Sequence, residues 1–251
     1  MDVIDKLFKK YSSFSLDKGY LGFTTLGYPI PFFCINKGTY PVVFAQGGIH
    51  GREYITTLLL LKMIDYLQNL SFVGTLYLAP AINIDGIKIA LKDKNFKSNA
   101  NGVDLNTNFP ARWGSGSQNV THLAKSNYIG RYPASEIEVK SLMSFTKHLQ
   151  PNATISFHSK GEEIYFDFYN DTLKAKHLPL AKSIARVTGY KIKQNLPSAG
   201  GYKDWCIQNL KIPSFTIEVG QDSLSHPIDE IYIDDIFFKT KDVIPVLLKE
   251  L

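Results

Sequence analysis

A histidine and a glutamate three residues apart, His50 and Glu53 in Gly47-Gly48-Ile49-His50-Gly51-Arg52-Glu53, fall where a strand gives way to a helix. The apolar run at 41–45 predicts a buried strand, and 54–70 predicts a long helix with an apolar face. Imidazole nitrogen and carboxylate oxygen both suit zinc, whose catalytic sites use about three protein ligands and keep one position open. A third ligand must then come from elsewhere in the chain. The pair alone is weak, since a glutamate in a first helical turn also complements the helix dipole. Two further strands add chemistry: 153–158 ends on His158, and 214–219 carries Glu218 as its lone acid. A carboxylate in an apolar strand is costly to bury unless it is paired or has a task. Strand carboxyl ends are also where open α/β sheets place their sites.

The elements that must hold these groups read as an alternation. A short N-terminal helix leads into two strands over 20–36, divided at Gly27, and then the strand before His50. After the helix at 54–70 come a strand at 74–80, a helix at 134–149, strands at 153–158 and 163–169, and helices at 173–188 and 203–210. A strand at 214–220 and a terminal helix at 234–250 complete the order. Alternating strands and helices predict an α/β fold with a mainly parallel or mixed sheet and helices on both faces. The stretch 83–126, rich in Asn, Gly and Ser, breaks the pattern, and loops of that length are usually functional or disordered.

At 251 residues and 44% hydrophobic content the chain can bury one full core, so a single domain over 1–251 is expected, with a lead-in over about 1–36. The net charge of +5 is scattered among 28 basic and 23 acidic residues, which argues against nucleic acid as a partner. No run approaches the roughly 18 apolar residues of a membrane span. The N-terminus lacks the apolar centre of a secretory signal, so a cytoplasmic protein is expected. In that setting Cys34 and Cys206 are expected to be free thiols.

A further motif lies in the long stretch, Asn101-Gly102-Val103-Asp104-Leu105-Asn106-Thr107-Asn108-Phe109-Pro110. With His50-Gly-Arg-Glu53, His158 and Phe215-Thr216-Ile217-Glu218 it forms an order of motifs, from about 41 to 220, that resembles the zinc carboxypeptidase family. The resemblance implies a single-domain, mixed, mostly parallel eight-stranded sheet with helices on both faces. It also implies one Zn2+ per chain held by His50, Glu53 and His158, with Glu218 as general base and Asp104 as the carboxylate behind the first histidine. Lys97 falls where the family has an arginine that polarises the scissile carbonyl, and Arg52 and Asn106 fall at substrate-binding positions. Thr107 departs from the pattern: the family carries arginine there and uses it with the preceding Asn to grip a C-terminal carboxylate, which a hydroxyl cannot do.

The segments His158-Ser-Lys-Gly-Glu-Glu-Ile-Tyr165, Ala199-Gly-Gly-Tyr202-Lys203-Asp204-Trp205 and Asn99-Ala-Asn-Gly-Val-Asp104 resemble the bacterial γ-D-glutamyl-diaminopimelate peptidases and murein peptide amidases of the same family. The resemblance implies a murein-derived peptide as substrate, and the lack of a secretory signal and of a wall-binding repeat points to recycling or sporulation rather than the mature wall. Lys203 stands where the family reads the leaving-side residue, and as a cation it would suit the extra carboxylate of diaminopimelate. Tyr202 is a candidate for the family's flap tyrosine. A carboxypeptidase with atypical terminal recognition and a catalytically silent peptide-binding fold are the alternatives. The sequence leaves the oligomeric state, and diaminopimelate against lysine, open.

Overall fold

The computed structural model of the chain describes residues 1–123, 126–169, 173–194 and 198–251. Its strands are β1 (Asp17–Phe23), β2 (Pro29–Ile35), β3 (Val42–Gln46), β4 (Thr75–Ala79), β5 (Ala153–His158), β6 (Glu163–Tyr165), β7 (Lys191–Lys193) and β8 (Ser214–Glu218). They form one eight-stranded sheet in the order β1-β2-β4-β3-β5-β8-β6-β7. The centre is parallel, β4 to β3 to β5 to β8, as is the β6/β7 pair; β1/β2, β2/β4 and β6/β8 are antiparallel. The helices are α1 (Val3–Ser13), α2 (Ile55–Leu67), α3 (Ile84–Ala90), α4 (Ile137–Leu149), α5 (Lys174–Thr188), α6 (Tyr202–Trp205), α7 (Ile233–Thr240) and α8 (Val243–Glu250).

Successive strand residues face opposite sides of a sheet. On β3, Val43 and Ala45 join the apolar cluster that includes α1, α2, α5, α7 and α8, while Phe44 between them joins the cluster of α4 and α6. Both faces are therefore covered, which explains why β5 is buried along its whole length and why central strands read as continuous apolar runs. A single-domain α/β fold with a mixed eight-stranded sheet is what the sequence predicted.

The differences are local. The long stretch after Asn83 is not structureless: the Asn83 side chain accepts from Gly86 N at 2.9 Å and caps α3. Residues 124 and 125 of that stretch lie outside the described residues. The strand expected over 163–169 stops at Tyr165, and the terminal helix is broken between α7 and α8. Pro245 sits in the first turn of α8, where its missing N–H costs no bond. Both cysteines are buried free thiols. Among the described residues no helix is long and apolar enough to cross a membrane.

One close approach fixes the site's geometry. A Cβ on Gly51 would lie 2.4 Å from the carbonyl oxygen of Gly86 in α3, and Gly51 N donates to the Lys97 carbonyl at 2.9 Å. The turn carrying His50 and Glu53 is thus seated on α3 and on the segment carrying Lys97. Gly51→Ala should destabilise the fold by about 1–3 kcal/mol through overpacking. Chemical denaturation would read the loss, and an unchanged midpoint would mean that this contact is not tight.

Candidate metal centre

His50 leaves β3 in an extended conformation (φ −103, ψ 131) and precedes a single 3-10 turn, Gly51–Glu53. The i,i+3 spacing brings Glu53 back onto the histidine, with His50 Nδ1 2.8 Å from Glu53 Oε1. His158, the last residue of β5, sets its Nδ1 3.1 Å from Glu53 Oε2, and Ser159 N donates to the same oxygen at 3.3 Å. All three side chains are buried. Each can offer one ligand atom to a space in which those atoms lie within 4.8 Å of one another, the only such group of three among the described residues.

The donor set fits zinc, two imidazole nitrogens and a carboxylate, and the surroundings agree. His50 Nε2 lies 3.1 Å from Asp104 Oδ1, so both nitrogens of this ring face carboxylate oxygens. Without a metal that arrangement favours imidazolium: burial lowers the His50 pKa, but Glu53 and Asp104 outweigh burial and the net direction is up. A cation at Nδ1 would take the proton's place while Asp104 holds Nε2–H, which fixes tautomer and ring orientation. Burial lowers the pKa of His158 despite the pull of Glu53, so its ring favours the neutral form that ligates. Its Nε2 is buried without a hydrogen-bond partner among the described residues. Burial opposes ionisation of Glu53, yet the two histidines hold its pKa well below the ordinary carboxylate range.

Glu218 ends β8 beside His158, its register partner on β5. Burial, followed by repulsion from Glu53, pushes its carboxyl up to about 8. The ordinary value is 4.5, so from there to about 8 the folded metal-free protein keeps a proton that the unfolded chain has released, and its stability falls as pH rises. The raised His50 acts in the same direction, giving stability below 6.5 that is lost as pH climbs through its folded value. The lowered His158 acts oppositely and only below 6.5. Chelator-treated protein should therefore melt lower at about pH 8 than at about pH 6.5, and Glu218→Gln should narrow the gap. Thermal scans at both pH values test this; an equal gap in the mutant would contradict it.

A cleft of about 380 Å³ opens over these groups, and His50, His158, Glu218, Lys97, Asn106 and Lys203 all line it. Lys97 Nζ sits 2.7 Å from Asp104 Oδ2 and donates to Asn127 Oδ1 at 3.1 Å. Burial disfavours its charge, but Asp104 and Glu53 together outweigh burial and raise its pKa, so the ammonium persists. Asp104, despite burial, is held far below the carboxylate range, by Lys97 first and then by His50.

One expectation needs correction. Tyr202 does not reach substrate: it is fully buried in the α4/α6 core, against Phe109 and Phe44, and its hydroxyl lies 2.9 Å from that of Thr146. Tyr202 and Trp205 are three apart on one helix face, a spacing that itself points to the core. Lys203 lines the cleft, where it is buried and paired with Asp204 Oδ1 at 2.7 Å. Arg52 is half-buried and is not among the residues lining the cleft. Its charge is still felt by Lys97 and His226. Sequence reasoning missed Tyr165, Asn127 and Asp204 as lining residues. Tyr165 alone had a local signal, lying in a strand read to start just past His158.

The family profile Peptidase_M14, described as zinc carboxypeptidase, matches residues 2–245. Gamma-D-glutamyl-L-diamino acid endopeptidase 1 of Lysinibacillus sphaericus is 31% identical over 247 residues, covering 84% of this chain and 62% of that protein. The chain thus spans less than two thirds of that relative's length. Bovine thrombin-activatable fibrinolysis inhibitor, solved with tick carboxypeptidase inhibitor, superposes with a TM-score of 0.85 at 22% identity, covering 98% of this chain and 93% of that one. Murein-tripeptide amidase MpaA from Escherichia coli O157 superposes with a TM-score of 0.69 at 21% identity, covering 96% and 94%. At such identities the two structures speak to the fold alone.

Proposed function

The chain belongs to the zinc carboxypeptidase family, and from that premise we propose that it is a zinc-dependent peptidase hydrolysing the bond between γ-D-glutamate and a diamino acid, diaminopimelate foremost, in murein peptides. One observation carries the reading: among the described residues the cleft offers no clamp for a plain C-terminal carboxylate. The Thr107 hydroxyl donates to the Asp104 carbonyl at 2.8 Å. Among the described lining residues the two lysines are already paired, Lys97 with Asp104 and Lys203 with Asp204. The described walls are polar, with Asn106, Asn127, Thr216 and Gln194, and no large aliphatic side chain lines the cleft among the described residues. Such walls suit a leaving group with a functionalised side chain better than a hydrophobic chain end. The relative from Lysinibacillus sphaericus, named for cleavage beside a diamino acid, supports the same bond.

In this proposal His50, Glu53 and His158 hold one zinc ion. When bound, zinc supplies Lewis acidity, making water acidic near neutral pH and polarising a carbonyl. Glu218 accepts the proton of the attacking water on a carboxylate oxygen and returns it to the departing amine nitrogen. Asp104 keeps the His50 ring in the tautomer that ligates through Nδ1. Lys97, held between Asp104 and Asn127, presents positive charge to the oxygen on which negative charge develops.

The test is product identification. Zinc-loaded protein is incubated with L-Ala-γ-D-Glu-diaminopimelate and with a hippuryl peptide ending in a hydrophobic residue, and products are read by mass spectrometry. Release of diaminopimelate with little hydrolysis of the hippuryl peptide is expected. The reverse preference would replace the proposal with an atypical carboxypeptidase.

A further inference from the structure

The chain leaving β8 after Glu218 stays tied to the segment leaving β5 after His158. Val219 N donates to the His158 carbonyl and Gly161 N to the Gly220 carbonyl, each at 2.8 Å. Farther along, Ile228 is buried in the apolar cluster that includes α2 and α7, and this anchor returns the loop to the metal centre. His226, two residues earlier, sets its Nε2 3.0 Å from the Ser159 carbonyl oxygen and 3.3 Å from the Ser159 hydroxyl. A carbonyl oxygen only accepts, so Nε2 carries the hydrogen. Ser159 is therefore held at both ends: His226 grips its carbonyl, and its own N–H donates to Glu53 Oε2 at 3.3 Å.

We propose that His226 is a positioning residue for the metal centre: by fixing the Ser159 carbonyl it keeps the Ser159 N–H on Glu53, and so sets the carboxylate that ligates. The inference rests on the zinc site proposed above. The reason lies in the other bonds of Glu53. Among the described residues that carboxylate has as partners His50 Nδ1 at 2.8 Å, His158 Nδ1 at 3.1 Å and Ser159 N at 3.3 Å. An imidazole nitrogen that ligates has no hydrogen to donate. The first two bonds are therefore lost when both rings ligate, and the Ser159 N–H is the donor that remains. A ligating carboxylate needs such a donor to hold its orientation. In the metal-free protein the histidines themselves hold Glu53, and His226 matters little. In the loaded protein that support runs through Ser159 to His226.

Competition with a chromogenic chelator measures zinc affinity in the wild type and in His226→Ala, His226→Phe and His226→Gln. Loss of a group that orients a ligand typically costs about 10–100-fold in metal affinity. His226 acts one bond farther away, so the alanine and phenylalanine variants should lose about tenfold, the low end of that range. The glutamine variant, whose amide nitrogen can donate to the same carbonyl, should stay within about threefold of the wild type. Metal-free melting temperatures should change little, since the backbone bonds of Val219 and Gly161 and the burial of Ile228 do not depend on the ring. Wild-type affinity in the alanine and phenylalanine variants, or a glutamine variant as weak as the phenylalanine one, would overturn the inference. So would an affinity loss that only tracks a fall in the metal-free melting temperature, which marks a packing residue. The zinc reading fails in a different way: the wild type itself would hold no zinc, or His158→Ala would hold as much as the wild type. A zinc-replete wild type matched by all three His226 variants removes His226 alone.

Discussion

Glu218→Gln should keep the fold and a full complement of zinc while kcat/KM falls by about two to four orders of magnitude, the range for losing a positioned general base. The amide has the shape of the carboxyl and fits the end of β8 next to His158. It cannot accept a proton from water. It also removes the group that Glu53 repels, so metal-free stability at alkaline pH should rise rather than fall. Zinc stoichiometry by atomic absorption and steady-state kinetics on the same preparation separate the two effects. Near wild-type turnover in a zinc-replete mutant would remove Glu218 from the mechanism.

His158→Ala should bring bound zinc well below one per chain and weaken affinity by more than Asp104→Ala does. Toward the metal Asp104 only orients His50, and losing such a group typically costs about 10–100-fold in metal affinity. His158 would lose a ligand outright, leaving two where about three are needed. The substitution lies at the last residue of β5, where Ser159 N still has Glu53 as acceptor, so the sheet should survive. Competition with a chromogenic chelator ranks the variants. Equal affinities for the two would mean that His158 is not a ligand.

Much of this architecture was legible because its signals are local. The apolar runs of β3, β5 and β8 and the residues that end or follow them, His50, His158 and Glu218, could be read directly, since buried parallel strands tolerate no polar residue without a reason. The short edge strand β7, Lys-Ile-Lys, carries no apolar run and could not be seen. Helix α3 was hidden in a stretch read as loop, although Asn83 in front of Ile84 and Ile87 is a capping signal. The substrate residues were less legible than the metal residues for a physical reason. A ligand is announced by its chemistry and its strand end, whereas the orientation of Tyr202 and the pairing of Lys203 depend on packing between α6 and elements far away in sequence. Thr107 was read as a lost clamp from the family pattern it departs from, and its hydroxyl is bonded back to the Asp104 carbonyl.

The central claim is that the ends of β3 and β5, with the turn after β3, build one zinc site beside Glu218. Crystals grown with zinc and measured on both sides of its absorption edge test it directly. The account predicts one strong anomalous peak bounded by His50 Nδ1, Glu53 and His158 Nδ1, at about 2.0–2.2 Å from the nitrogen and oxygen ligands. A zinc peak elsewhere, with none between these three side chains, would contradict it.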